Sequence, residues 1–143
     1  GHVGESAYDA LQKMYGRDVT GVDFDERTVA SHRAAGRNVV LGSATDPDFW
    51  SRLHLSDTSI RLILLALPNH QEDLQAAREL AETGYEGKIA ATVKFDDDIE
   101  ALQQAGIHAA FNLYEEAGAG FAAHACGLFG EQPAAAGAET NAP

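Results

Sequence analysis

The sequence predicts an α/β domain with a Rossmann-like, doubly wound parallel sheet, and three observations support this fold class. Helical periodicity alternates with short apolar strands along the chain, which is typical of βαβ units. Residues 60–67 have the near-continuous hydrophobicity of a strand covered on both faces. Gly1 and Gly4 directly precede a helical segment, as in the phosphate loop of such folds.

Length and composition limit the classes of protein that fit. The 143 residues, 45% of them hydrophobic, fit one globular domain. A formal net charge of -12 argues against nucleic acid and anionic membrane surfaces as partners. We find no run of 18 apolar residues and no leader pattern, so we expect neither membrane insertion nor secretion. Cys126 is the only cysteine, which predicts a reducing compartment.

The helices are predicted from apolar residues that recur every three to four positions and from the residues that start and end them. The first helix places Leu11 and Met14 on one face and stops at Gly16. Asp46 followed by Pro47 predicts a capped helix start. The predicted helices are residues 5–15, 26–35, 47–54, 68–83, 96–105 and 115–129.

Short apolar runs between these helices predict the strands. They are residues 19–23, 38–41, 60–67, 88–93 and 107–111. The first helix has no strand before it, although the first strand of a Rossmann sheet is central. We therefore expect strands 19–23 and 60–67 to lack a shared neighbour, with the missing strand upstream of Gly1. The folded domain is predicted to span 1–129, and 130–143 reads as a disordered tail or linker.

The spacing between the first glycines and Asp23 is the main indication of what the chain binds. Gly1 and Gly4 form the second half of a G-x-G-x-x-G fingerprint, in which free helix N–H groups bind phosphate. Asp23 lies 19 positions after Gly4, where the fingerprint places an acid that binds ribose hydroxyls. An acid there repels a 2′-phosphate and favours NAD(H) or an adenine mononucleotide over NADP(H). The alternative is that Asp23 is a turn or cap carboxylate beside Asp25 and Glu26.

Two further loops follow strand ends, where ligands bind in open α/β sheets. They are residues 42–46 and 66–69, and each also fits a simple capped turn. The six histidines show no metal-ligand spacing, and we find no arrangement of nucleophile and base. We therefore predict no metal site and no catalytic residue.

These loops together resemble the N-terminal NAD-binding domain of the Trk/RCK family. The similar segments are 22–25 (VDFD), 42–46 (GSATD), 66–70 (ALPNH) and 105–122, the last being similar to Kef-type cation/proton antiporters. The resemblance covers residues 1 to about 129. It implies a cytoplasmic regulatory domain at the inner face of the cell membrane. Such a domain binds NAD(H) or an AMP-like nucleotide and controls a potassium channel or cation antiporter.

The resemblance also implies roles for individual residues. The implied cofactor-binding residues are Gly1, His2, Val3 and Gly4 at the phosphates, Asp23 and Phe24 at the adenosine ribose, Ser43, Ala44 and Thr45 at the adenine edge, and Ala66 and Leu67 at the pocket wall. The family commonly has aspartate where this chain has Ser43, which removes one charge from that loop.

Two other functions fit the same residues. One is the NAD-binding half of a small oxidoreductase, which would need a substrate domain with a proton donor, and this chain has no room for one. The other is a stand-alone soluble nucleotide sensor, which an upstream multi-span region would exclude. The last helix carries an apolar stripe that includes Phe121 and Leu128. This stripe either covers its own sheet or packs on a partner, and we expect a homodimer.

Overall fold

The computed structural model describes residues 1–16, 19–57 and 59–130, in which helices alternate with strands. The helices are α1 (His2–Tyr15), α2 (Glu26–Ala34), α3 (Pro47–Arg52), α4 (His70–Glu82), α5 (Asp97–Gln104) and α6 (Leu113–Gly127). The strands are β1 (Gly21–Asp23), β2 (Val39–Leu41), β3 (Leu62–Leu65), β4 (Lys88–Val93) and β5 (Ala109–Asn112). A short 3-10 helix, Leu55–Asp57, lies between α3 and β3.

All strand pairs are parallel, as predicted, and the described strands form two sheets. β1 pairs with β2, and β4 lies between β3 and β5. Among the described residues, β1 and β3 each have an edge without a strand partner. Val22 on β1 and Leu62 on β3 are 43% and 44% exposed. The two strands therefore lack a shared neighbour, as expected from the sequence.

The main core lies on one face of the three-stranded sheet, under α4 and α5. Leu80 of α4 and Leu102 of α5 are completely buried, because each packs against alternate residues of the strands. The strand residues of this core are Leu65, Ile89, Ala91 and Val93. This packing fixes where α4 and α5 begin, at the carboxyl ends of β3 and β4.

The opposite face of the three-stranded sheet is open, which differs from the prediction of a strand covered on both faces. Leu64 pairs with Ala90, and Thr92 pairs with Phe111, so these residues share one face. Leu62, Leu64 and Phe111 are 44%, 42% and 50% exposed. The difference arises because α4 and α5 both lie on the other face and α6 does not fold back over this one.

Helix α6 makes few contacts with the rest of the chain. Asn112 caps it by accepting hydrogen bonds from the N–H groups of Tyr114 and Glu115. No residue of α6 is buried, and Phe121 is 78% exposed. The apolar stripe therefore does not cover the chain's own sheet in this structure.

Several predicted boundaries shift by a few residues. Asp46 caps α3 as predicted, and β4 matches its predicted range. Helix α4 begins at His70 with Asn69 as its cap, so Pro68 lies outside the helix and not in its first turn. The predicted tail falls outside the described residues from 131 onward. Within the described part of the chain, we find no helix with the length and hydrophobicity to cross a bilayer.

Candidate functional site

The start of α1 lies between the carboxyl ends of β1 and β3. The Gly1 nitrogen is 4.0 Å from Oδ2 of Asp23, which ends β1. A Cβ added at Gly4 would lie 3.9 Å from the Cβ of Ala66, which follows β3. The N–H groups of the first helical turn have no partner within the helix, so they are available for hydrogen bonds at this end of α1. The structure therefore brings the predicted residues Gly1, Gly4, Asp23 and Ala66 together.

The helix that carries the predicted phosphate loop starts earlier than expected. We predicted a helix from residue 5, but α1 begins at His2 with Gly1 as its N-cap. His2, Val3 and Gly4 are consequently the first helical residues, and not a separate loop. The chain reaches helical geometry early because the Glu5 N–H donates to the Gly1 carbonyl. The predicted loop is thus a helix N-terminus with its positive end at the strand ends.

Asp23 uses one carboxylate oxygen for local structure and leaves the other available. Its Oδ1 accepts a hydrogen bond of 2.9 Å from the N–H of Asp25. Asp25 in turn caps α2 by accepting from the N–H of Arg27. The turn role and the ribose-binding role that we considered for Asp23 are therefore compatible, since Oδ2 points toward Gly1.

Phe24, next to Asp23, is 75% exposed and presents an open aromatic ring at this end of the sheet. Just after β3, Leu67 is half-buried and packs against the main core, whereas Ala66 is exposed beside Gly4. Leu67 therefore anchors the β3–α4 loop, and Ala66 forms its open surface.

The loop after β2 is held in one conformation by hydrogen bonds. The Gly42 N–H donates to the carbonyl of Asp23, which ties the loop to the end of β1. Trp50 donates from Nε1 to the carbonyl of Ala44 at 2.7 Å. The hydroxyl groups of Ser43 and Thr45 are 3.0 Å apart and share a hydrogen bond. This loop therefore lies beside the predicted site, with its hydroxyl groups already oriented.

Glycine is required at the start of this loop by packing. A Cβ at Gly42 would collide with the ring of Phe49, which is buried in the core. The Phe49 ring packs edge-on against Trp50 at a centroid distance of 5.1 Å. The core under α3 thus sets the position of the loop.

A cleft of about 390 Å³ opens between α1 and α2 beside Gly1. It is lined by Gly1, His2 and Glu5 from one side and Arg27, Thr28, Ser31 and His32 from the other. Sequence reasoning found Gly1 and His2 but missed the α2 residues. These residues form two adjacent pairs, 27–28 and 31–32, which are one helical turn apart and therefore lie on one face of α2. This spacing is the signal in the sequence that could have identified them.

The charge of Glu5 in this cleft is compensated. Arg37 approaches Glu5 with its Nη2 at 2.9 Å from Oε1. The same guanidinium group binds Asp9 on the next turn of α1. The Arg27 side chain then contributes an additional positive charge to the cleft wall, in a chain whose net charge is -12.

The described residues contain no cluster of three or more His, Cys, Asp or Glu side chains that could hold a metal ion. The run of three aspartates, 96–98, lies at the start of α5, where carboxylates interact favourably with the helix dipole.

This geometry defines a Rossmann-like α/β domain in which α1 starts at the crevice between strand ends. The family model described as "TrkA-N domain" matches residues 1–113. The chain therefore belongs to the TrkA-N domain family, which confirms the resemblance to the Trk/RCK N-terminal domain. No curated protein sequence matches the chain.

Solved structures share this fold at low sequence identity. The NAD(P)-binding domain of an exopolyphosphatase-related protein from Archaeoglobus fulgidus has a TM-score of 0.79 and 16% identity, covering 89% of this chain and 92% of that one. The TrkA-N domain of the inner membrane protein ybaL from Escherichia coli has a TM-score of 0.68 and 17% identity, with coverage of 82% and 85%. The GsuK channel bound to NAD has a TM-score of 0.66 and 19% identity, covering 77% of this chain and 20% of the channel chain.

Proposed function

We propose that this chain is a nucleotide-binding regulatory domain, and not an enzyme, that controls a transporter or channel for a monovalent cation such as potassium. The observation that carries the proposal is the position of the α1 N-terminus between Asp23 and Ala66. Ligands of open α/β sheets bind at this place, outside the carboxyl ends of the strands. Membership of the TrkA-N family and similarity to the GsuK channel bound to NAD support it.

The proposed ligand is NAD(H) or an AMP-like adenine nucleotide. The free N–H groups of the first turn of α1, at His2, Val3 and Gly4, bind its phosphates. Oδ2 of Asp23 accepts from the ribose hydroxyls while Oδ1 keeps its bond to Asp25. Phe24 offers an exposed ring beside this ribose.

The remaining predicted site residues complete the proposed pocket. The loop of Ser43, Ala44 and Thr45 borders the adenine, and it is already tied to β1 through Gly42. Ala66 and Leu67 form the opposite wall at the end of β3. The cleft beside Gly1 leaves open space next to the phosphates.

Calorimetric titration of the purified chain with NADH, NAD, AMP and NADPH tests this ligand assignment. We expect the first three to bind and NADPH to bind more weakly, because Asp23 repels a 2′-phosphate. Absence of binding to all four would contradict the proposal. Steady oxidation of NADH with a panel of small carbonyl substrates would contradict the non-enzymatic role.

We further propose that the domain works as a homodimer attached to a membrane transport protein at its cytoplasmic face. Helix α6 is exposed along its length, and the open sheet face that includes Leu64 and Phe111 is also apolar. In a two-fold dimer each α6 can cover the open face of the second copy. Nucleotide binding in two linked clefts then biases the arrangement of the attached transport subunits.

Sedimentation of wild type and Phe121→Glu tests the dimer. We expect a wild-type dimer and a folded monomeric variant, because the side chain of Phe121 is exposed within one chain. A wild type that stays monomeric at tens of micromolar, roughly the range where weak specific dimers assemble, would contradict this part of the proposal.

A further inference from the structure

Two buried polar atoms on the first turn of α4 have no hydrogen-bond partner among the described residues. They are Nδ1 of His70 and Oδ1 of Asp73. The two residues are three positions apart, so they lie on the same face of the helix. Asp73 is only 2% exposed, and it is the one polar or charged residue among the buried residues described. A buried, unpaired polar atom is costly, and its presence therefore calls for a specific explanation.

The start of α5 supplies the third member of this group. Oδ1 of Asp98 lies 3.7 Å from Nδ1 of His70, and both side chains are about three-quarters buried, with 26% and 23% exposure. This separation fits an ion pair when the imidazole is protonated, and it is too long for a hydrogen bond. The contact joins the first turns of α4 and α5 at the carboxyl ends of the strands.

The other charges around Asp73 are acidic or are bound elsewhere. Glu72 precedes it in the same turn, where its carboxylate accepts from the Asn69 side chain at 2.9 Å. Arg52 of α3, the other helix that packs on α4, donates to the Asp48 carbonyl of its own helix. Among the described residues, no basic side chain shifts the pKa of Asp73, and burial together with the charges of Glu72 and Asp98 raises it to about 7.

Protonation of Asp73 favours the contact between the two helices. A protonated Asp73 carries no charge, so it is tolerated in the core near Asp98. When the proton leaves, the charges of Asp73 and Asp98 repel each other where Asp73 is poorly solvated, and this repulsion weakens the contact between α4 and α5.

We infer that His70, Asp73 and Asp98 form a cluster that binds a proton at Asp73, and that this proton holds the starts of α4 and α5 together. The coupling to ligand rests on the proposed function, because α4 follows directly from Ala66 and Leu67, the proposed pocket wall. Protonation keeps this wall in place and raises nucleotide affinity. By reciprocity, bound nucleotide increases proton uptake by the cluster.

The test compares wild type with Asp73→Asn. Asparagine is chosen because its side chain is uncharged and has the same shape as the protonated acid. Asp97→Asn, in the exposed first turn of α5, is the matched control. Amide hydrogen exchange of the first turn of α4 is measured without nucleotide at pH 6 and pH 8, after correction for intrinsic rates. NADH and AMP affinities are measured by calorimetry at the same two values.

We expect protection of the α4 start to decrease between pH 6 and pH 8 in wild type and in Asp97→Asn, but not in Asp73→Asn. Nucleotide affinity should fall about fivefold over this range in the first two proteins, the low end of allosteric couplings. It should stay at its pH 6 value in Asp73→Asn. Unchanged protection in wild type, or equal pH dependence in Asp73→Asn, would overturn the cluster.

This experiment distinguishes a failure of the cluster from a failure of the proposed nucleotide-binding function. A chain that shows the pH-dependent protection but binds no nucleotide supports the cluster and contradicts the proposed function. A chain that binds nucleotide equally at both pH values, with constant protection, contradicts the cluster and leaves the proposed function supported.

Discussion

The guanidinium group of Arg37 donates two parallel hydrogen bonds to the carboxylate of Asp9, from Nε to Oδ1 and from Nη2 to Oδ2, each 2.9 Å long. Asp9 lies in the middle of α1, and Arg37 lies just before β2. One side-chain pair therefore fixes the rotation of α1 against the β1–β2 sheet. The hydrogen bond lowers the pKa of Asp9 and raises that of Arg37, because each charge favours the other.

Replacing Arg37 with lysine should loosen α1, because lysine cannot make the paired hydrogen bonds of a guanidinium group. We expect a lower melting temperature and nucleotide affinity that is several-fold weaker, since the start of α1 carries the proposed phosphate contacts. Thermal unfolding and calorimetry measure the two effects. Arg78→Lys, on the exposed surface of α4, is the control. Equal behaviour of the two variants would contradict the positioning role of Arg37.

The stability of the fold should depend on Asp73 and on pH. Burial raises the pKa of Asp73 from its ordinary 3.8 to about 7, so the folded chain keeps a proton that the unfolded chain releases. The free energy of unfolding should therefore fall as pH rises from about 4 to about 7, and then level off. The full shift corresponds to about 4 kcal/mol.

Asp73→Asn removes this dependence. Urea unfolding should show a variant that is more stable than wild type at pH 8, and by a smaller margin at pH 5, where the folded wild-type carboxyl is still neutral and only the unfolded chain has released its proton. Asp97→Asn should follow the wild type at both values. If Asp73→Asn shifts stability by the same amount at pH 5 and pH 8, the buried acid does not hold its proton as described.

Gly4→Ala should separate folding from ligand binding. A Cβ at Gly4 makes only an ordinary contact with Ala66, at 3.9 Å, so the glycine is not required for helix packing in this structure. Alanine stabilises a helix by up to about 1 kcal/mol relative to glycine. The same methyl group enters the space where the phosphates are proposed to bind, so nucleotide affinity should fall several-fold.

The matched variant is Gly118→Ala in α6, where a Cβ meets nothing within 4 Å. It should leave nucleotide affinity unchanged. Melting curves and calorimetry on both variants give the comparison. Undiminished affinity in Gly4→Ala would show that the phosphates do not approach this turn.

The sequence predicted the local features of the fold better than the contacts between elements. The bounds of β4 and the cap at Asp46 followed from periodicity and capping chemistry, which are properties of adjacent residues. Strand β3 is shorter than the predicted 60–67, because only the residues that pair with β4 form a ladder. Hydrophobicity alone does not reveal which residues find a partner strand.

For the candidate site, too, the sequence predicted local features better than contacts between residues that are distant along the chain. Asp23 and the loop of Ser43 and Thr45 lie where the spacing placed them, at the ends of neighbouring strands. Asp73 was not singled out, because an aspartate on a helix resembles a solvent-facing residue until its burial in the folded chain is seen. Arg37 was missed for a similar reason, since its partner Asp9 is 28 positions away along the chain.

The central claim, that Asp23 holds the ribose of a bound nucleotide, is tested most directly by titrating Asp23→Asn with NADH by calorimetry. The amide oxygen of asparagine can still accept from the Asp25 N–H, so the turn and the melting temperature should be preserved. We predict affinity weaker by about 1.5–3 kcal/mol, the range for a hydrogen bond to a charged group. Asp46→Asn, the same change at the cap of α3, should bind as wild type does. Equal NADH affinity in wild type and Asp23→Asn would contradict the account.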